Sequence, residues 1–208
     1  GLVAQQQCVG QSHTPLSNFG LISQSTFPDL NGIFTGCVTA VGEQPIYGLI
    51  DPISMAHKTV AESLLNLVWC LIDDISNIRC SANWMWPTPN KDPKEGYNMY
   101  MVANELSNLL QKLDMAIDGG KDSLSMAVNH NDKTIKSPGS LVLTMYANCP
   151  NIYKKVTPDF KTNTESIVSD ELYFIDLSSE IRSNTTSNTT SNYSNHHKFC
   201  MAGCSLYQ

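Results

Sequence analysis

A chain of 208 residues with 41% hydrophobic content is long enough to bury one good core, with room for part of a second domain. Its formal net charge of −6 argues against nucleic acid as a partner, so a phosphorylated ligand has to be held by local donors and metal. The longest nearly apolar run, 64–72, is about half a membrane span and contains Asn66, and no charged-then-apolar leader speaks for secretion.

In chain order, residues 2–7, 19–24, 33–41 and 46–50 are predicted as successive strands between glycine, proline and asparagine turns. Asp51-Pro52 then opens a helix, with the aspartate capping free amides and the proline in the first helical position. Ile53, Ala56, Val60, Leu64, Val68, Leu71 and Ile75 recur at helical spacing as its buried stripe. Residues 77–84 return as a strand, followed by a polar loop over 87–96. A second helix carries Met99, Val102, Leu106, Leu109, Leu110 and Leu113 at the same period. A glycine turn and a strand over 140–147 come next, which makes an α+β layout. Beyond 158 the composition shifts: 171–177 reads as a strand, and 182–197 is a Ser/Asn/Thr-rich insertion too polar to pack. The first residues read as the inside of a strand and the last as the inside of a helix, the pattern of a segment from a longer protein.

The seven cysteines include no CxxC pair, which speaks against a zinc knuckle. Cys8 and Cys70 are expected as small core residues in a reducing compartment. Cys200 and Cys204, downstream of His196 and His197, have metal-site spacing but adjoin a low-complexity tract, which favours a structural reading. His13 and His57 stand without a catalytic partner in the sequence.

The most informative stretch is Gly119-Gly120-Lys121-Asp122-Ser123-Leu124-Ser125-Met126. Glycines let backbone approach a ligand, lysine supplies a point charge for phosphate, and serine hydroxyls donate to phosphoryl oxygens. The glycine spacing of a Walker loop is absent. The competing reading is a tight turn with a solvated lysine. Glu62 and Asn66, four apart, share one helix face; their oxygens suit magnesium, and an ordinary polar face is the alternative. Trp84 and Trp86 are expected to cover the core beneath the 87–96 loop.

Gly1-Leu2-Val3-Ala4-Gln5-Gln6-Gln7-Cys8-Val9-Gly10, Val41-Gly42-Glu43-Gln44-Pro45, Val60-Ala61-Glu62-Ser63-Leu64-Leu65-Asn66-Leu67, Cys80-Ser81-Ala82-Asn83-Trp84-Met85-Trp86 and Pro138-Gly139-Ser140-Leu141-Val142 follow one another in this order. Together with the glycine stretch, this series resembles the phosphoribosylformylglycinamidine synthases, large ATP-dependent glutamine amidotransferases of de novo purine synthesis. The likeness covers 1–158 and returns weakly at 201–208. It implies an aminoimidazole-ribonucleotide-synthetase-like module: 1–158 as the amino-terminal half of the second synthetase module, and 159–208 as the start of the following α/β half.

The resemblance also implies a site. Ser17, Asn83, Gly120 and Lys121 would contact nucleotide, and Ser123 would hold the substrate's ribose phosphate. Glu62, Asn66 and Asn18 would hold magnesium, although the family carries an aspartate where this chain has Asn18. Asparagine keeps a carbonyl oxygen but loses the charge. Family members phosphorylate the formamide oxygen of formylglycinamide ribonucleotide with ATP, then displace phosphate with ammonia from a glutaminase domain. The resemblance implies Mg2+ and ATP/ADP as cofactors, the remaining synthetase and glutaminase domains as partners, no nucleic acid or membrane, and a cytoplasmic setting. The segment alone would not complete the reaction. The family has two related halves packed face to face, and this segment resembles the second, which would put Glu62, Asn66 and Asn18 at a structural nucleotide and let Lys121 and Ser123 reach the catalytic site across the interface. Two competing readings are a structural nucleotide-binding module without catalytic residues and a related ATP-dependent kinase, such as a thiamine-phosphate or selenophosphate kinase.

Overall fold

The structure is a computed structural model and describes residues 1–159. The expectations for 171–177, for the 182–197 insertion and for Cys200 and Cys204 fall outside the described residues. Within them the elements run β1 (Val3–Gln5), β2 (Phe19–Ser23), β3 (Gly36–Glu43), α1 (Pro45–Ile50), α2 (Pro52–Leu67), β4 (Arg79–Met85), α3 (Pro93–Lys112), β5 (Ala116–Ser123), β6 (Ala127–His130), β7 (Lys133–Lys136) and β8 (Ser140–Cys149).

Six of the strands form one sheet in the order β1-β2-β3-β8-β4-β5, and β6 and β7 make a separate hairpin. Neighbours in the large sheet are antiparallel except β4 and β5, which are parallel. A parallel pair needs a crossover, and α3 supplies it. Every second residue of β8 is buried (Leu141, Leu143, Met145, Ala147, Cys149), the period of a strand with one covered face. Cross-strand register puts Val38 and Ala40 of β3 and Cys80 and Ala82 of β4 on that face. Helices α2 and α3 contribute Met55, Ala56, Val60, Leu67, Val102, Leu106 and Leu110 to the same core. The buried Ser63 hydroxyl sits at 2.9 Å from the Leu143 carbonyl and 3.0 Å from that of Thr59. The opposite face stays open, with Ile22 and Val41 about half exposed.

Four local expectations need correction. Residues 46–50 form helix α1 and no strand, because β3 is already paired on both edges and offers no ladder to a further strand. The α2 helix ends at Leu67, short of Val68, Leu71 and Ile75. There the backbone turns to pair with 154–156, with Leu71 N–H donating to Lys154 O at 2.9 Å and Val156 N–H to Trp69 O at 2.8 Å. The polar loop stops at Asp92, whose carboxylate accepts from Lys94 N–H and caps α3. Most important for function, Gly119 to Ser123 is extended in β5 and forms no turn. β6 and β7 add a hairpin whose turn residues Asn131 and Asp132 take positive φ of 47° and 58°, as a tight hairpin turn requires. Among the described residues no helix is long and apolar enough to cross a membrane.

Candidate nucleotide and phosphate sites

Ser17 is buried, and its N–H donates to Gln7 O at 2.7 Å, which fastens the chain just before β2. Asn18 follows, exposed. From α2, the Asn66 side-chain amide donates to Val41 O at 2.9 Å and so is oriented by the backbone of β3. These three residues, far apart in sequence, line one cleft of about 500 Å³ with Gln7, Phe19, Gly20, Thr39, Ala40, Val41 and Thr144. The lining offers amides, hydroxyls and apolar surface, and no charged side chain. Sequence reasoning missed Thr39 and Thr144; their alternation on the open face of β3 and β8 was the available signal.

Glu62 lies one helical turn before Asn66 but does not line this cleft. Its Oε2 accepts from Glu43 N–H at 2.7 Å and from the Gln44 side-chain amide at 2.9 Å, tying α2 to the junction of β3 and α1. Glu62, Asn66 and Asn18 are all hard oxygen donors, as magnesium requires, so the set fits the ion in kind. It carries one negative charge, on Glu62. Among the described residues no group of three or more His, Cys, Asp or Glu side chains is arranged to hold a metal.

The second constellation lies at the other end of the sheet. Asn83 on β4 pairs with Lys121 on β5, and Met85 with Ser123. The Lys121 ammonium donates to Ser123 Oγ at 2.8 Å and to Asp122 O at 3.0 Å. The structure therefore brings Asn83, Lys121 and Ser123 together and separates them from Ser17, Asn18 and Asn66. From β2 to β5 the sheet order crosses four strand spacings of ~4.8 Å, or roughly 19 Å. Gly120 has φ +155°, and a Cβ there would come within 2.1 Å of Ala82 O. Its glycine identity is needed for β5 to lie against β4.

Other candidates resolve differently. His57 has a partner on α3: its Nε2 is 2.7 Å from Glu105 Oε1, a half-exposed pair joining two helices. Cys70 and Cys149 are buried with sulfurs 3.5 Å apart; burial, then the neighbouring Cys149, pushes the Cys70 thiol well above its usual range. Burial, then Asp118, raises the Cys80 thiol to about 11. Both stay protonated at neutral pH and are poor nucleophiles, in keeping with core roles. Cys8 is only half-buried.

Residues 1–148 match the family model described as the FGAR-AT PurM_N-like domain. The phosphoribosylformylglycinamidine synthase of Drosophila melanogaster is 48% identical over 161 residues, which is 77% of this chain and 11% of that protein. The human enzyme of the same name is 45% identical over 161 residues, again 77% of this chain and 12% of the relative. The chain thus spans about one-eighth of the length of these relatives. Among solved structures, PurL of Thermotoga maritima complexed with ADP superposes with a TM-score of 0.53 at 16% identity, covering 68% of this chain and 21% of that one. PurLQS from the same organism gives 0.52 at 17% identity, covering 69% and 21%. At that identity the likeness concerns the fold.

Proposed function

The chain belongs to the phosphoribosylformylglycinamidine synthase family, and from that premise we propose that it is part of the synthetase core of an ATP-dependent amidoligase of purine synthesis. The parent enzyme converts formylglycinamide ribonucleotide, ATP and glutamine-derived ammonia to the amidine, ADP and phosphate in the cytoplasm. Residues 1–158 form the amino-terminal half of its second synthetase module. The segment by itself is inactive, because the glutaminase and the other synthetase half lie elsewhere in the parent chain.

The cleft of Ser17, Asn18 and Asn66 holds an adenine nucleotide in a structural role. The observation that supports this reading is that Ser17 and Asn18 before β2 and Asn66 on α2 line one cavity of nucleotide size. The side-chain oxygens of Asn66 and Asn18 would hold the nucleotide's magnesium, with Glu62 joining them only on release of the Glu43 and Gln44 amides that its carboxylate now accepts from. When bound, that ion supplies positive charge against the phosphates. Asn83, Gly120 and Lys121 meet the nucleotide of the catalytic site, and Ser123 donates its hydroxyl to the ribose phosphate of the substrate. Lys121, extended along β5, places its ammonium beside that hydroxyl, so the pair presents a charge and a donor to one phosphate. The open face of the sheet, with Ile22 and Val41 exposed, receives the other synthetase half, which carries the remainder of the reacting site.

The test is ammonia-dependent amidine formation by the complete parent enzyme, wild type against Lys121→Ala and Ser123→Ala. A fall in kcat/KM of about 100-fold with an unchanged melting temperature supports the reading. Near-normal rates overturn it and leave a structural nucleotide holder, the alternative that the neutral cleft favours.

A further inference from the structure

Residues 123–126 are held by a closed circuit of hydrogen bonds that the phosphate reading does not use. Trp86 N–H donates to Ser123 O at 2.9 Å, and Trp86 O accepts from Met126 N–H at 3.1 Å, so one residue brackets the segment on both sides. The Trp86 ring is buried and lies flat against Gly139, where a Cβ would come within 2.3 Å of the indole. Its Nε1 donates to Glu95 Oε2 at 3.2 Å. The other Glu95 oxygen accepts from Lys136 Nζ at 3.1 Å, and Lys136 also donates to Asp92 Oδ2 at 2.5 Å. Next along the chain, the Ser137 N–H and hydroxyl both donate to Met126 O, at 3.0 and 3.1 Å. The circuit therefore runs from the end of β5 through Trp86, the first turn of α3 and the last residue of the β6–β7 hairpin, and back to Met126.

β5 needs such a device. It is the edge strand of the sheet, and its residues are exposed from Ala116 through Asp122. At its Ser123 end the pairing with Met85 and the packing of Leu124 on the core are the contacts that act beside the circuit. Glu95 is mostly covered, its side chain only 18% exposed, and it joins an indole donor to an ammonium, bonds that are stronger than neutral ones. From this geometry we propose that Glu95 and Lys136 are positioning residues for the Lys121–Ser123 segment, acting through Trp86. The proposal rests on the reading of Ser123 as the donor to the substrate's ribose phosphate. A preorganised segment binds phosphate without first losing its own conformational freedom, so loosening it raises the substrate's KM.

The experiment uses the full-length parent enzyme with ammonia as nitrogen source and formylglycinamide ribonucleotide varied, for Glu95→Gln, Lys136→Met, the double variant and Ser123→Ala. Glutamine at 95 keeps an acceptor for the indole and loses the charge that Lys136 meets. Each single variant is expected to raise KM for the ribonucleotide about fivefold to tenfold, with kcat within about twofold, and the double variant to rise no further than the larger single one, because both cut one circuit. An unchanged KM for the ribonucleotide with a lowered melting temperature makes the circuit a hairpin staple only and overturns the proposal. Multiplying effects in the double variant overturn it as well. If Ser123→Ala leaves that KM unchanged, the substrate-phosphate reading falls and the inference with it. If Ser123→Ala raises it while the Glu95 and Lys136 variants do not, the inference alone fails.

Discussion

The cleft beside β2 and the exposed end of β5 are candidate ligand sites on one sheet, built in opposite ways. The cleft borrows its rigidity from the core: Ser17 is buried, Phe19 belongs to both the core and the cleft lining, and Asn66 is aimed by a bond to the backbone of a central strand. It presents neutral groups. The β5 end carries the charged lysine and stands on the sheet edge, so its order depends on a glycine that permits close strand contact and on the Trp86–Glu95–Lys136 circuit. A site placed over a core needs few dedicated supports, whereas a site on an edge strand needs its own.

The sharpest way to break this contrast is at Gly120. An alanine there has to take φ +155° and push its Cβ to 2.1 Å from Ala82 O, so β5 must leave β4. Gly120→Ala is expected to cost about 4 kcal/mol, read as a large drop in melting temperature of the parent module. A near-native melting curve would mean that β5 tolerates displacement and needs no close contact with β4.

The cleft is predicted to respond more mildly and separately. Asn66→Ala removes the bond to Val41 O and one wall of the cavity, for a loss of about 1 kcal/mol in stability and a several-fold weaker nucleotide affinity measured by calorimetry. KM for the ribonucleotide should not change, since Asn66 is anchored on β3, three strand spacings or roughly 14 Å from β5 in the sheet order. A shift in both constants would show that the regions are coupled.

The smallest effect belongs to pH and the hairpin. The bond from Lys136 holds the Asp92 carboxyl below the usual carboxylate range, aided by the Lys94 amide. A group with a depressed folded-state pKa contributes fully above its unfolded value, and the contribution is lost as pH falls through the folded one. The tether should therefore persist at neutral pH and fail only in acid below the ordinary range of aspartate. Hydrogen exchange of the 127–136 amides, corrected for intrinsic rates, should show protection falling there in wild type and absent at all pH values in Lys136→Met. Equal protection in both proteins would assign hairpin order to the backbone alone.

Which residues belong together was only partly legible in the sequence. The helical period of Val102, Leu106 and Leu110 named the buried face of α3, and Asp51-Pro52 named the start of α2, because those signals are local and repeat within one element. The same period overran at Val68, Leu71 and Ile75, where pairing with 154–156 won over helical spacing. Residues 46–50 read as a strand by composition, yet strand formation needs a free edge, and β3 had none. Glu62 and Asn66 were expected to work as a pair; four-residue spacing put them on one side of α2, but only Asn66 reaches the cleft.

By itself the sequence determined the family, through long motifs in a fixed order, and the α+β character, through local periodicities and caps. Tertiary structure alone decided that Thr39 and Thr144 join Asn66 in one cleft while Glu62 stays out of it, that Gly119–Ser123 is an edge strand and no turn, and that Glu95 bonds both Trp86 and Lys136. The physical reason is the range of the interactions. Spacing along a chain encodes which residues share one element's face, whereas strand order and edge position follow from pairings between segments far apart in sequence.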